Sequence, residues 1–437
     1  MKGQYKDRIG QSVATSADGR VVAFGARSGT LPYASEPGSQ TNPAGFVTVL
    51  AWNGSDWEQR GDLLMGRNSQ YFYGQSLAMS ANGEVLAVGS IGHSNWNDAD
   101  QSGEVEVFAW FEGAWTAIGE TPSWSYGRIW GNGANSLLGN SVALSADGTV
   151  LAVGAPGDET ERVRTYKYDG YEWSPLGAHG YLRLGHGGDD DDDATLDDHA
   201  GWAVALNSDG RVLAVAALGA VRVFEWDDFV NGWTSRGPAL LGEAVDDQFG
   251  YSVSLDNEGR VLAVGGNLND PTSALENAGH ARVFEYNGRE YVQRGADIDG
   301  ETVGERRGSA VSLSGDGMVL AVSEIDFDPT NNQEGSVRVF AWDGSAWTLA
   351  APSIWGDGNG VPMQYVDGVL STIPTDNHYG VAIALSADGR VLVAGDLHEG
   401  SGSGYAPTVD TGEVRVFGHI GARLPPPPPP PPPVPRT

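Results

Sequence analysis

The densest carboxylate run in the chain is Asp189, Asp190, Asp191, Asp192 and Asp193, preceded by His186-Gly187-Gly188 and followed by Asp197-Asp198-His199. Like charges packed this closely repel unless water or a cation screens them, and flexible carboxylates suit the oxygen-rich shell of calcium. Two readings stand: a calcium loop through Asp189 to Asp193 and Asp197, and a solvated acidic loop, the commoner fate of such a run. Calcium is the one cofactor these residue types suggest. Asn95-Trp96-Asn97-Asp98-Ala99-Asp100 also alternates oxygen-bearing side chains, but has no closing glutamate at the EF-hand spacing.

Linear catalytic motifs are missing. The eight histidines share no recurrent spacing with serine or aspartate, and no Gly-x-Ser-x-Gly or His-Glu-x-x-His segment occurs. Without cysteine there is neither thiolate chemistry nor a disulfide. A formal net charge of -31 argues against nucleic acid as a partner, because phosphates demand a basic surface. No run approaches the roughly 18 apolar residues that span a bilayer, and Met1 to Gly10 is polar, without the apolar segment of a secretory leader.

The elements that would position any site come from repetition. An apolar strand, a tight turn and a second apolar strand recur seven times, with turn glycines Gly19, Gly83, Gly148, Gly210, Gly259, Gly317 and Gly389. Successive gaps of 64, 65, 62, 49, 58 and 72 residues are too long for an ankyrin or leucine-rich array and suit a four-stranded propeller blade with variable loops. A third strand follows, as in Val221 to Trp226 and Val337 to Trp342, partly apolar on both faces like a strand sandwiched between sheets. Then comes Asn287-Gly288 or Asp343-Gly344, a hairpin signal because such pairs tolerate positive φ. The expected fold is all-β: a seven-bladed β-propeller over residues 1–421, with a proline-rich tail over 422–437.

Six copies mark the fourth strand with one aromatic, namely Trp57, Trp115, Trp173, Trp233, Tyr291 and Trp347. They read as packing anchors, since a repeat needs the same large apolar body at each interface; a ring of sugar-stacking residues is the alternative. The seventh copy has Val414 to Phe417 but no aromatic strand after it, so its blade is expected to be incomplete. Asn53-Gly54-Ser55 is the one N-glycosylation sequon and falls in a hairpin turn, where a chance match is the competing reading.

An aromatic-Gly pair before the first strand (Phe249-Gly250, Tyr73-Gly74, Tyr379-Gly380) and Gly154-Ala155-Pro156 after the second resemble the FG-GAP repeats of integrin α-subunit-like propellers. The resemblance covers nearly the whole chain and implies the propeller fold. Blades of that family often carry a calcium loop between the first two strands. Here Ser16-Ala17-Asp18-Gly19 and its equivalents are too short to wrap the ion, so that site is not carried over.

Near the C-terminal end, Pro425, Pro426, Pro427, Pro428, Pro429, Pro430, Pro431, Pro432 and Pro433 are consecutive, and fixed φ without an N–H imposes a polyproline II rod of roughly 28 Å. The tract resembles the hydroxyproline-rich stalks of algal and plant extracellular glycoproteins, which implies hydroxylation and O-glycosylation of these prolines. In a cytosolic setting it would instead recruit SH3-, WW- or profilin-like domains, and a stiff spacer fits both.

The functional expectation is a non-enzymatic extracellular or cell-surface structural or adhesive module. It would be the subunit of a glycosylated, flagellar-hair-like fibril, a homo-oligomer or polymer joined through the open edge of the seventh blade. The alternatives are a recognition propeller holding a glycan or an extracellular protein on the long connections Arg27 to Ala44, Asp357 to His378 and Asp396 to Thr411, and a cytosolic scaffold. A glycan-cleaving enzyme would need carboxylates gathered from several blades, which leave no linear motif.

Overall fold

Short strands rich in valine, leucine and alanine bury both faces only when sheet packs on sheet, and seven small antiparallel sheets do so here around a ring. The computed structural model describes residues 9–26, 45–66, 72–92, 101–119, 127–177, 181–182, 199–325, 335–355, 377–398 and 413–418. Each blade is a meander running outward from the centre. In blade 5, Phe249–Leu255 pairs with Val261–Gly266, which pairs with His280–Tyr286. The outer position is shared by two short pieces, Tyr291–Gln293 and Ile298–Asp299. The same broken fourth strand occurs in blades 1, 2, 4 and 6. Blade 7 has Asn377–Leu385, Val391–His398 and Glu413–Gly418, three strands among the described residues.

The turn between the first two strands repeats because it makes the same bonds each time. The Ser145 N–H donates to the Val150 carbonyl at 2.9 Å, its Oγ accepts from the Val150 N–H at 2.9 Å, and its hydroxyl donates to Asp147 Oδ1 at 2.6 Å. Asn207 and Asp256 occupy the serine position in blades 4 and 5 and accept from Val212 and Val261 through their own side-chain oxygens.

The next residue of each turn joins blade to blade. The N–H of Ala17 donates to the carbonyl of Ala81, Ala81 to Ala146, Ala146 to Ser208, Ser208 to Asn257, Asn257 to Gly315, Gly315 to Ala387, and Ala387 back to Ala17. All seven bonds measure 2.8 to 3.0 Å, and they form a closed circle. The turn glycines have a matching role: with φ of +68°, Gly19 presses so closely on blade 7 that a Cβ would lie 2.6 Å from the Val391 side chain. Gly83 meets Val21, Gly148 meets Val85, and the relation runs round the ring to Gly389 on Val319.

Closure is therefore face to face. Ile9, Val13, Val22 and Phe24 of blade 1 bury against Val393 and Val414 of blade 7, with no strand exchanged among the described residues. The glycines that open the first strands sit at the same seams: a Cβ on Gly25 would strike the carbonyl of Gly74, in the pair Tyr73-Gly74, and one on Gly395 the carbonyl of Gly10, which follows Ile9. Antiparallel order places the 1–2 and 3–4 turns at one end of every blade. The 2–3 connections and the links between blades lie at the other, hereafter the loop face.

Candidate functional site

At the loop face the last rung of each blade departs from the repeat. Register pairs Ala26 with Phe46 in blade 1, Ser90 with Glu104 in blade 2, Ala217 with Ala220 in blade 4, Gly266 with His280 in blade 5 and Glu324 with Ser336 in blade 6. On the first strand the same rung holds Ile9, Tyr73, Phe249 and Arg307 in blades 1, 2, 5 and 6. A position that is apolar in blade 1 is ionic in blade 6.

Glu324 is 3% exposed. Its Oε1 accepts from Arg307 Nε at 2.8 Å and lies 2.7 Å from Arg338 Nε, while Oε2 accepts from the Ser336 hydroxyl at 2.5 Å. Arg307, equally buried, also donates to Glu305 Oε1 at 2.5 Å and to the Asp299 carbonyl of blade 5. The other oxygen of Glu305 accepts the Glu301 and Thr302 N–H groups at 2.6 and 2.8 Å. Arg338 reaches outward to Glu301 Oε1 at 2.7 Å, and that glutamate is 65% exposed.

Three carboxylates (Glu301, Glu305, Glu324) thus face two guanidiniums (Arg307, Arg338), an excess of one negative charge when all are ionised. Burial, the largest influence, pushes the Glu324 carboxyl up to about 7; Arg307 opposes the rise and Glu305 adds to it. The cluster can consequently hold a proton near neutral pH.

Other loop-face charges are tied into ion pairs within a blade, one of which also reaches across a seam. Arg164 meets Asp158 at 3.0 Å and donates to the Trp130 carbonyl of the preceding blade at 2.8 Å, and Arg128 meets Glu106 at 2.5 Å. Beside blade 6, blade 5 gathers His280, Asp297 and Glu243, whose ligand-bearing atoms all lie within 4.8 Å of one another.

The aromatics singled out in the sequence lie away from these clusters, on the outer strands. Each stacks on the ring facing it across the hairpin, as in Trp52 with Trp57 (5.6 Å between centroids) and Trp342 with Trp347 (5.5 Å). Three reach the preceding blade: the indole N–H of Trp115 donates to the Arg60 carbonyl, that of Trp233 to Thr165 Oγ1, and that of Trp347 to the Arg294 carbonyl. Asn53 is exposed, and its Oδ1 accepts the Ser55 and Asp56 N–H groups at 2.8 and 2.9 Å, a turn cap that Asp343 repeats in blade 6. Asp189 to Asp193, Asp197, the Asn95 to Asp100 segment, Pro425 to Pro433 and most of the three long connections lie outside the described residues.

Sequence reasoning missed Glu324, Arg307, Arg338 and His280. For three of them the signal was available: once the copies are aligned, Arg307, Glu324 and His280 stand in columns that blade 1 fills with isoleucine, alanine and phenylalanine, whereas Arg338 belongs to a column that is arginine in blades 3, 4, 5 and 7 as well.

No family model matches the chain, and no curated protein does. Solved structures do resemble it. A protein of Bacteroides fragilis described as a candidate 6-phosphogluconolactonase is 15% identical, with a TM-score of 0.48 over 79% of this chain and 84% of that one. Its counterpart from Bacteroides uniformis is 12% identical, with a TM-score of 0.46 over 79% and 85%. Hydrazine synthase of Kuenenia stuttgartiensis is 12% identical, with a TM-score of 0.52 over 96% and 98%. At such identity the likeness establishes the fold, and the chain is a seven-bladed β-propeller.

The expected fibril module is corrected here. The solved structure that shares the architecture at a TM-score of 0.52 carries the name of an enzyme and not of a fibril subunit.

Proposed function

We propose that the protein is an acid–base catalyst acting on a small polar molecule at the loop face of blade 6, with Glu324 as the proton-exchanging group. The observation that supports this reading is Glu324 itself, a buried carboxylate held against Arg307 and Arg338 with Glu305 beside them, in a rung that is apolar in blades 1 and 4. A carboxyl that titrates near 7 offers both its forms at neutral pH, the condition for general acid–base catalysis. Arg307 and Arg338 supply fixed donors for negative charge that develops on a substrate oxygen.

Access runs past the pair of Arg338 and Glu301. Glu301 is the exposed partner of this pair, and a substrate bearing its own carboxylate or phosphate would take its place on Arg338. The test is turnover of a panel of lactones, esters and phosphate esters by the full chain. Glu324→Gln should lower kcat by about 10²–10⁴ with KM little changed, while Glu301→Gln keeps its activity. Equal turnover by wild type and Glu324→Gln, or no turnover of any compound in the panel, would sink the proposal.

The aromatic-Gly and Gly-Ala-Pro motifs support an FG-GAP lineage for the blades. The nine prolines support an extracellular location with a hydroxylated, glycosylated tail. Mass spectrometry of the native protein checks the latter, and unmodified prolines would refute it.

A further inference from the structure

The second loop-face cluster, in blade 5, has the chemistry of a metal centre. His280 is wholly buried, and neither ring nitrogen has a hydrogen-bond partner. A buried imidazole left this way forfeits the compensation that buried polar groups normally find. Its Nδ1 lies 3.8 Å from Asp297 Oδ2, and Glu243 completes a set of three donors within 4.8 Å of one another. Room for the ring comes from Gly266, where a Cβ would stand 2.8 Å from Nε2. Two more buried acceptors without partners, Oδ1 of Asn267 and Oδ1 of Asn269, lie on the connection that leaves the same strand, and the Asn269 amide donates to Glu243 at 3.3 Å.

We infer that His280, Asp297 and Glu243 bind a first-row divalent transition metal, of which zinc is the type. An imidazole nitrogen with two carboxylates suits zinc, cobalt or manganese, whereas calcium and magnesium prefer shells made of oxygen alone. With bonds of about 2.0–2.2 Å, donors around a tetrahedral zinc stand roughly 3.4 Å apart. The 3.8 Å separation of His280 from Asp297 needs only a small contraction.

The surroundings agree. Burial holds the imidazole pKa below its ordinary value, with Asp297 opposing. Asp247 adds negative potential from the same side, and Arg282, 3.7 Å from Asp297 Oδ1, is the countercharge the metal must share. The site is independent of the proton chemistry proposed for Glu324, and its test needs no enzymatic readout.

Cobalt is the probe, because its visible absorption reports coordination directly. Metal-stripped full-length protein titrated with Co²⁺ in 0.15 M salt should bind one ion per chain with a Kd of micromolar order. Zn²⁺ should displace it and a large excess of Ca²⁺ should not. Glu243 is exposed, so Glu243→Gln will fold, and its Kd should weaken at least tenfold; His280→Gln should abolish the band. Two outcomes overturn the inference: no stoichiometric binding by the wild type, or binding that both variants retain, which would place the ion on the acidic surface.

Discussion

Replacing Gly19 by alanine strikes the seam where the ring closes. The residue has φ of +68°, and its new Cβ would fall 2.6 Å from both Cβ and Cγ2 of Val391 and 2.9 Å from Cγ1. An alanine forced into the left-handed region costs about 1–2 kcal/mol. Forcing a methyl into a packed interface costs a further ~1–3 kcal/mol. The sum, about 2–5 kcal/mol, is a large share of the roughly 5–15 kcal/mol that holds a typical domain together. Gly54→Ala is the control, because its φ is +106° but nothing lies within 4 Å of the added methyl. Denaturant unfolding of Gly19→Ala, Gly54→Ala, Val391→Ala and the Gly19→Ala/Val391→Ala pair separates strain from clash. The account expects the double variant to recover about 1 kcal/mol or more relative to the sum of the singles. If Gly19→Ala is as mild as Gly54→Ala, or the two substitutions simply add, then blade 1 does not rest on blade 7 as described.

Ser145→Ala should destabilise by about 1–3 kcal/mol in urea, because the buried Val150 N–H loses its acceptor, and Ser145→Asn should recover part of this by using the geometry of Asn207; equal losses in the two variants would contradict that. Asp256 fills the same position as a carboxylate, and burial raises its pKa above the unfolded value despite the Val261 and Arg260 N–H groups. Its contribution is therefore fully present below the unfolded pKa and is lost as pH rises through the folded one. Asp256→Asn should raise Tm at pH 7, with the gap to wild type closing in acid, and a lower Tm at pH 7 would refute the sign.

Architecture was legible because it is written seven times. The Asp-Gly turns, the Val-Arg-Val-Phe third strands and the facing aromatics each recur at one place in the blade, and packing that repeats needs residues that repeat. The missing aromatic of the seventh copy was legible for the same reason, and three strands of its blade lie among the described residues. What closes the ring was not, since backbone bonds such as Ala387 to Ala17 carry no side-chain signature. Attention to dense charge also drew the eye to Asp189 to Asp193, where acidity is conspicuous along the chain. Glu324, Arg307 and Arg338 are 14 to 31 residues apart, and only the pairing of three strands brings them within 3 Å. Glu324 and Arg307 are departures from the repeat, and one residue at a time such departures look like ordinary variation.

The account turns on the proton held at Glu324. Infrared difference spectroscopy across pH 5 to 9, with the Glu324→Gln variant as the blank, reads that carboxyl directly. Wild type should show a protonated C=O band at pH 5 that is absent from the variant and is lost with a midpoint of about 7. As the raised pKa requires, the stability of wild type relative to the variant should fall as pH climbs through that midpoint. A carboxylate already fully ionised at pH 5 would contradict the claim and return the cluster to an interblade salt bridge.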